Sequence, residues 1–144
     1  MGQPLITERR VEFRDTDAAG IMHFSVYFTC MEEAEHELFR QAGLSVVSQF
    51  EGRTISWPRV SAHCDYRGSF RFEDIIKIEA GITNIGRSSM SLGFRFFKSD
   101  QSGIDEPLAT GAITTVCCII DEMPPQSISI PDSIREKLAP YVIV

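Results

Sequence analysis

The chain has 144 residues, 43% of them hydrophobic and 24% charged, enough for one domain (residues 1–144) with a real core. Those proportions exclude a disordered or fibrous chain. A formal net charge of −6 and a pI near 5.0 argue against a nucleic-acid partner, which needs a broad basic surface, so any anionic ligand requires a local group of Arg or Lys.

Leu5 to Phe13 carries β-branched residues and reads as a first strand. From Ser25 to Ala42 the apolar positions Tyr27, Met31, Ala34, Leu38 and Ala42 recur at helical spacing. Ser25 is the expected N-cap and Gly43 the expected stop, with Glu32, Glu33, Glu35, Glu37 and Arg40 on the other faces. Val60, Ala62, Cys64 and Tyr66 alternate with Ser61, His63, Asp65 and Arg67, the pattern of a half-buried strand. Ile76, Ile78, Ala80 and Ile82 continue it, Asn84 to Arg87 reads as a turn, and Met90, Leu92, Phe94 and Phe96 form the next strand. Ser99 to Gly103 has loop composition. Ala109 to Ile120 is small, β-branched or apolar throughout and predicts one strand buried on both faces. Pro124-Pro125 ends it, and Asp132 to Leu138 predicts a short last helix. One long helix beside five or six antiparallel strands makes an α+β domain. The open edges of its sheet invite pairing with a second subunit.

Four cysteines (Cys30, Cys64, Cys117, Cys118) lack framework spacing, and no leader pattern precedes the first strand, so reduced thiols in a cytoplasmic protein are expected. The apolar runs are too short for a membrane span. GxSxG, GxxxxGK[ST], GxGxxG and HExxH are all missing from the sequence, and neither a cofactor nor a metal is expected. Glu33 and His36 have the spacing of half a di-iron site, but such a site needs a second motif and a helical bundle. His63 and Asp65 share one strand surface, as a proton-transfer pair or as a solvated polar face.

The stretch RDTDAAGIMHF (Arg14 to Phe24) puts two carboxylates, a glycine and a histidine just ahead of the long helix. Read from the residues, Asp17 is either a turn residue or a catalytic carboxylate, and His23 either a structural imidazole or a group that orients substrate. The segment from Asp15 to Gly43 resembles the signature of hotdog-fold acyl-CoA thioesterases of the 4-hydroxybenzoyl-CoA thioesterase family, including the Tol-Pal-associated branch. Asp17, Gly20, Tyr27, Glu32, Ala34, Arg40 and Gly43 fall on its positions. Weaker matches follow at Tyr66, Asp74 and Gly86-Arg87-Ser88 and along Ala109 to Asp121. The chain departs from the pattern at Gly68-Ser69, at Glu35 where Arg is common, and at Phe24 where the Tol-Pal branch has His.

The resemblance implies a curved antiparallel sheet wrapped around one long central helix. It implies an enzyme that hydrolyses an acyl-CoA to free acid and CoA, working as a homodimer or homotetramer with active sites between subunits. Asp17 would be nucleophile or general base, Gly20 would admit the thioester, and the Phe24 N–H would polarise its carbonyl, with His23 a further catalytic candidate. Met22, Tyr27, Arg87, Ser88 and Ser89 would contact substrate or CoA, Arg87 at the phosphates. Asp15 would brace the turn. The chemistry is consistent with those roles: thioester hydrolysis needs an activated nucleophile and donors for the developing oxyanion. A non-catalytic acyl-CoA-binding hotdog protein and a hotdog acyl-thioester hydratase or dehydratase are the alternatives.

Overall fold

The computed structural model describes residues 2–100 and 106–143. The alternating runs assemble into one antiparallel sheet. It contains β1 (Leu5–Arg10), β4 (Arg59–Tyr66), β5 (Ile75–Ile85), β6 (Ser89–Lys98) and β7 (Ala109–Val116), in the order β1-β5-β6-β7-β4. A second sheet joins four short strands, β2 (Ser48–Phe50), β3 (Arg53–Ser56), β8 (Cys118–Ile119) and β9 (Gln126–Ser127), in the order β2-β3-β8-β9. The period of two in β5 and β6 sends Ile76, Ile78, Ala80 and Ile82, and Met90, Leu92, Phe94 and Phe96, into the core. Helix α1 (Val26–Gln41) packs there through Tyr27, Cys30, Met31, Ala34, Leu38 and Phe39, all buried. Each large apolar side chain so buried contributes on the order of 1.5–3 kcal/mol.

Gly43 ends α1 as its sequence position predicts. Its φ of 79° lies in the left-handed region, and the Leu44 N–H closes on the Phe39 carbonyl at 2.8 Å, the Schellman pattern. Ser25 occupies the N-cap position, but its side chain makes no cap hydrogen bond; the hydroxyl turns instead to the His23 ring. The last helix, α2, spans Asp132–Leu138 as expected.

Several expectations are corrected. The first strand stops at Arg10, because Glu12 starts a 3-10 turn over Phe13–Asp15. The residues of Ala109 to Ile120 form two strands, not one: the chain breaks at Cys117, whose N–H bonds the Ser88 carbonyl, and β8 joins the second sheet. Nor is β7 buried on both faces, since Ala112 is exposed. The turn between β5 and β6 starts only after Ile85. Ser99 and Asp100 turn as predicted, and the rest of the expected Ser99–Gly103 loop lies outside the described residues.

Two larger differences concern burial. β4 reads in the sequence as half-buried, yet every residue of it except Cys64 is exposed: it is an edge strand with β7 on one side and, among the described residues, no neighbour on the other. Glu35, expected on an outer helix face, has 0% exposure. It is held by Arg59, which donates through Nη1 to Oε2 at 3.0 Å and through Nη2 to Oε1.

Candidate active site

The loop ahead of α1 is braced at both ends. Arg9 Nη1 donates to Asp15 Oδ2 at 2.9 Å while Arg9 Nε donates to Glu33 on α1 at 2.8 Å. The Glu12 N–H also reaches Asp15 Oδ2, at 2.9 Å, and the Asp15 carbonyl accepts the His23 N–H at 2.8 Å. Burial alone would raise the Asp15 carboxyl, but Arg9 and the Glu12 N–H outweigh it and hold that carboxyl below its ordinary value. This is the bracing role read for Asp15 in the sequence.

Between these anchors the chain doubles back. Thr16 and Met22 form a bridge, the Asp17 N–H donates to the Ile21 carbonyl at 3.0 Å, and the Gly20 N–H donates to the Asp17 carbonyl at 2.9 Å. Gly20 has a φ of 79°, and a Cβ there would meet no protein atom within 4 Å. Backbone conformation, not crowding within the chain, therefore accounts for the glycine. Asp17 Oδ1 accepts the Ala19 N–H at 2.8 Å, which aims the side chain and leaves Oδ2 without a hydrogen bond among the described residues.

Asp17 lines a pocket of about 170 Å³ together with Ile21, Met22, Phe24, Tyr27, Tyr66, Gly68 and Ser69. Met22 and Tyr27 are buried and form its floor; Phe24, 62% exposed, forms its rim. Burial pushes the Tyr27 phenol up to about 12, so it stays a neutral hydroxyl. Backbone N–H groups on either side of Phe24 are taken: Met22 donates to Phe70 O at 2.8 Å, His23 to Asp15 O, and Val26 to His23 O at 3.0 Å. Among the described residues the Phe24 N–H itself has no acceptor. Asp17, with one carboxylate oxygen unbonded among the described residues, and Phe24, whose N–H has no acceptor among them, thus line one small cavity; attack on a carbonyl and stabilisation of its oxyanion need one group of each kind.

The other candidates sit elsewhere. His23 does not line this pocket; its Nδ1 stands 2.7 Å from the Ser25 hydroxyl and 3.3 Å from the Ser25 backbone nitrogen. Arg87, Ser88 and Ser89 lie at the far end of the sheet within one chain. Ser89 pairs with Val116 while Tyr66 pairs with Ala109, some seven residues or ~23 Å along the strands. Their carbonyls serve the scaffold: Arg87 O accepts the Ile130 N–H at 2.8 Å and Ser88 O that of Cys117 at 2.8 Å. His63 and Asp65 do meet, at 3.1 Å on the exposed face of β4, away from the Asp17 pocket. A second hollow of about 350 Å³, lined by Glu32, His36, Trp57 and Arg59 among others, also went unread in the sequence. It joins side chains from α1 and the β3–β4 link that no local spacing connects.

An antiparallel sheet packed on one long helix is the hotdog fold, the fold of a class of thioester hydrolases. The chain belongs to the thioesterase-like superfamily, whose pattern matches residues 11–138. It is 29% identical over 128 residues to a 1,4-dihydroxy-2-naphthoyl-CoA hydrolase of Prochlorococcus marinus, covering 82% of this chain and 85% of that protein. Among solved structures it is similar to the gentisyl-coenzyme A thioesterase BH1999, with 28% identity and a TM-score of 0.78 over 93% of this chain and 99% of that one. A 4-hydroxybenzoyl CoA thioesterase variant complexed with 4-hydroxybenzoyl CoA shares the fold at 18% identity, with a TM-score of 0.81 over 95% of this chain and 99% of that one.

Proposed function

We propose that the protein is a cytoplasmic acyl-CoA thioesterase in which Asp17 is the nucleophile or general base and the Phe24 N–H the oxyanion donor. The observation that carries this reading is that Asp17 and Phe24, the one with a carboxylate oxygen and the other with an N–H unbonded among the described residues, line one pocket. The overall reaction consumes one water and yields a carboxylic acid and the CoA thiol. In the covalent route Asp17 Oδ2 bonds to the acyl carbon, the C–S bond breaks, and the thiolate leaves and takes up a proton. Water then opens the resulting anhydride. In the alternative route Asp17 takes a proton from water as the water oxygen attacks the acyl carbon; the C–S bond then breaks and the leaving thiolate takes up that proton. Both routes gather negative charge on the former carbonyl oxygen, which is where a fixed N–H lowers the barrier. His23 stays a candidate for orienting substrate, and Gly20 for giving the thioester room.

The exposed edge of β4 supports an assembly of two chains, doubled in a tetramer. A two-fold axis that pairs β4 with its copy brings the Arg59 end of one strand beside the Tyr66 end of the other. Because Arg59 pairs with Thr115 and Ser89 with Val116, the turn Gly86–Ser88 lies at the Arg59 end. Such a dimer carries the partner's Arg87, Ser88 and Ser89 toward the Asp17 pocket, where Arg87 meets the CoA phosphates. The acyl group is read, from the relatives' substrates, as an aromatic or related ring acid.

Release of free thiol from a panel of aryl and alkyl acyl-CoAs by the purified protein tests the reading. Turnover of at least one aryl-CoA is expected. Binding of acyl-CoA without thiol release would instead identify a carrier, and addition or loss of water across the acyl chain a hydratase or dehydratase.

A further inference from the structure

Phe24 lines the pocket and sits in the turn that the Val26 N–H closes on His23 O at 3.0 Å. The residue is 62% exposed, so its own packing does little to fix its backbone. The N–H makes no hydrogen bond among the described residues. The carbonyl is also left outside the helix: α1 begins at Val26, and the Phe28 N–H, which a helix begun one residue earlier would send to Phe24 O, bonds Ser25 O at 3.2 Å. The group that reaches Phe24 O comes from 42 residues away. The Tyr66 hydroxyl, at the end of β4, donates to it at 2.9 Å.

Tyr66 is itself well placed to act as a fixed point. Its ring meets the edge of Tyr27 at 4.8 Å and 81°, and Tyr27 is buried against Phe96, with ring centroids 5.5 Å apart, and lies 6.1 Å from Phe70. The position of the hydroxyl is therefore inherited from the core. Burial pushes the Tyr66 phenol up to about 12, with the neighbouring Cys64 adding to the rise. It remains a donor at any pH at which the enzyme works.

We propose that Tyr66 is a positioning residue for thioester hydrolysis, its hydroxyl clamping the Phe24 carbonyl so that the Phe24 N–H stays aimed at the oxyanion. The proposal rests on the thioesterase reading above. Tyr66 does not act on the reacting atoms; it acts through the peptide group that follows Phe24. The peptide group that carries the Phe24 N–H is held on its other side, where His23 O accepts the Val26 N–H at 3.0 Å, and only the two torsions of Phe24 join the two groups, so losing the Tyr66 bond loosens the donor from one side. Loss of a whole oxyanion donor costs about 10²–10³ in kcat, and a donor left in place but loosely held should cost less, about 10- to 100-fold.

Tyr66→Phe removes the hydroxyl and keeps the ring on Tyr27. With an acyl-CoA that the wild type hydrolyses, we expect kcat to fall about 10- to 100-fold while KM stays within about twofold, since the N–H bonds the developing oxyanion much more strongly than the ground-state carbonyl. A second readout is vibrational. In an Asp17→Asn background, which is expected to retain bound acyl-CoA, the isotope-labelled thioester C=O band should move to higher frequency when Tyr66→Phe is added, because the N–H polarises it less. A role in folding alone would lower the unfolding midpoint and leave both the kcat-to-KM split and the C=O band unmoved. That outcome, or a kcat within twofold of wild type, overturns the proposal for Tyr66 alone. A wild type that releases no thiol from any acyl-CoA defeats the thioesterase reading, and the Tyr66 role with it.

Discussion

Asp15 and Asp17 stand two positions apart and meet opposite conditions. Asp15 is buried, doubly bonded and paired with Arg9; Asp17 keeps one carboxylate oxygen open to a pocket. Asp15→Asn should cost about 1–3 kcal/mol, because it strands a half-buried guanidinium and weakens the loop's brace, with kcat changed little by comparison. The pH dependence has a definite sign. The folded carboxyl lies below the ordinary 3.8, so between the two values the unfolded chain binds more protons and stability rises with pH. The Arg9–Asp15 contribution is complete above about pH 4 and is lost as pH falls through the folded value. Urea unfolding from pH 7 down to pH 3 should therefore show a shallower acid loss in Asp15→Asn than in wild type. Equal slopes would mean that Asp15 takes no part in the acid transition. For Asp17 the route is open to a labelling test: single turnover in oxygen-18 water should place label in the Asp17 carboxylate if an anhydride forms and is opened there. Label confined to the product acid leaves water activation or opening at the acyl carbon.

Helix α1 carries the clearest energetic test at the scale of an element. Glu35 is buried with two hydrogen bonds from Arg59, and Glu32 stands 3.5 Å from the same guanidinium. Burial pushes the Glu35 carboxyl up and Arg59 pulls it back without cancelling the rise. Removing one partner leaves the other charge poorly compensated, so Arg59→Met should cost about 3–5 kcal/mol by denaturant unfolding. Combining it with Glu35→Leu should recover most of that loss, since a matched apolar pair avoids both desolvation penalties. A double variant no more stable than the single one would show that the pair contributes more than charge compensation.

The same helix marks what the sequence revealed and what it withheld. Its span, its Gly43 stop and its core stripe follow from spacing alone, as do the buried sides of β5 and β6 and the whole of α2. Glu35 was misplaced because its burial depends on Arg59, 24 residues away on another element. β2, β3 and β9 went unread because strands of two to four residues are too short for a period to emerge. β8 was absorbed into one long apolar run because the break at Cys117 is set by a bond to Ser88, not by any turn residue. In the candidate site, Asp17 was singled out through resemblance to a family signature, as was Gly20, which does not line the pocket, whereas the Tyr66 hydroxyl on Phe24 O links two distant stretches and left no local pattern.

For the whole molecule, the decisive feature is an exposed edge strand beside an open pocket. Ala62 lies midway along β4 and is exposed in the single chain, so Ala62→Arg should fold normally yet block pairing of the edge. By sedimentation the variant should run near the 16.2 kDa of one chain, with wild type at two or four times that mass and the variant's acyl-CoA hydrolysis largely lost. An active monomer would separate the site from the assembly. The central claim, that the Asp17 pocket hydrolyses acyl-CoA, is met most directly by steady-state kinetics of Asp17→Asn, which keeps the side chain's shape and removes its charge. The account predicts a fall in kcat of roughly 10²–10⁴, the usual contribution of one positioned acid–base group, with acyl-CoA still bound. Hydrolysis by Asp17→Asn at the wild-type rate would contradict it.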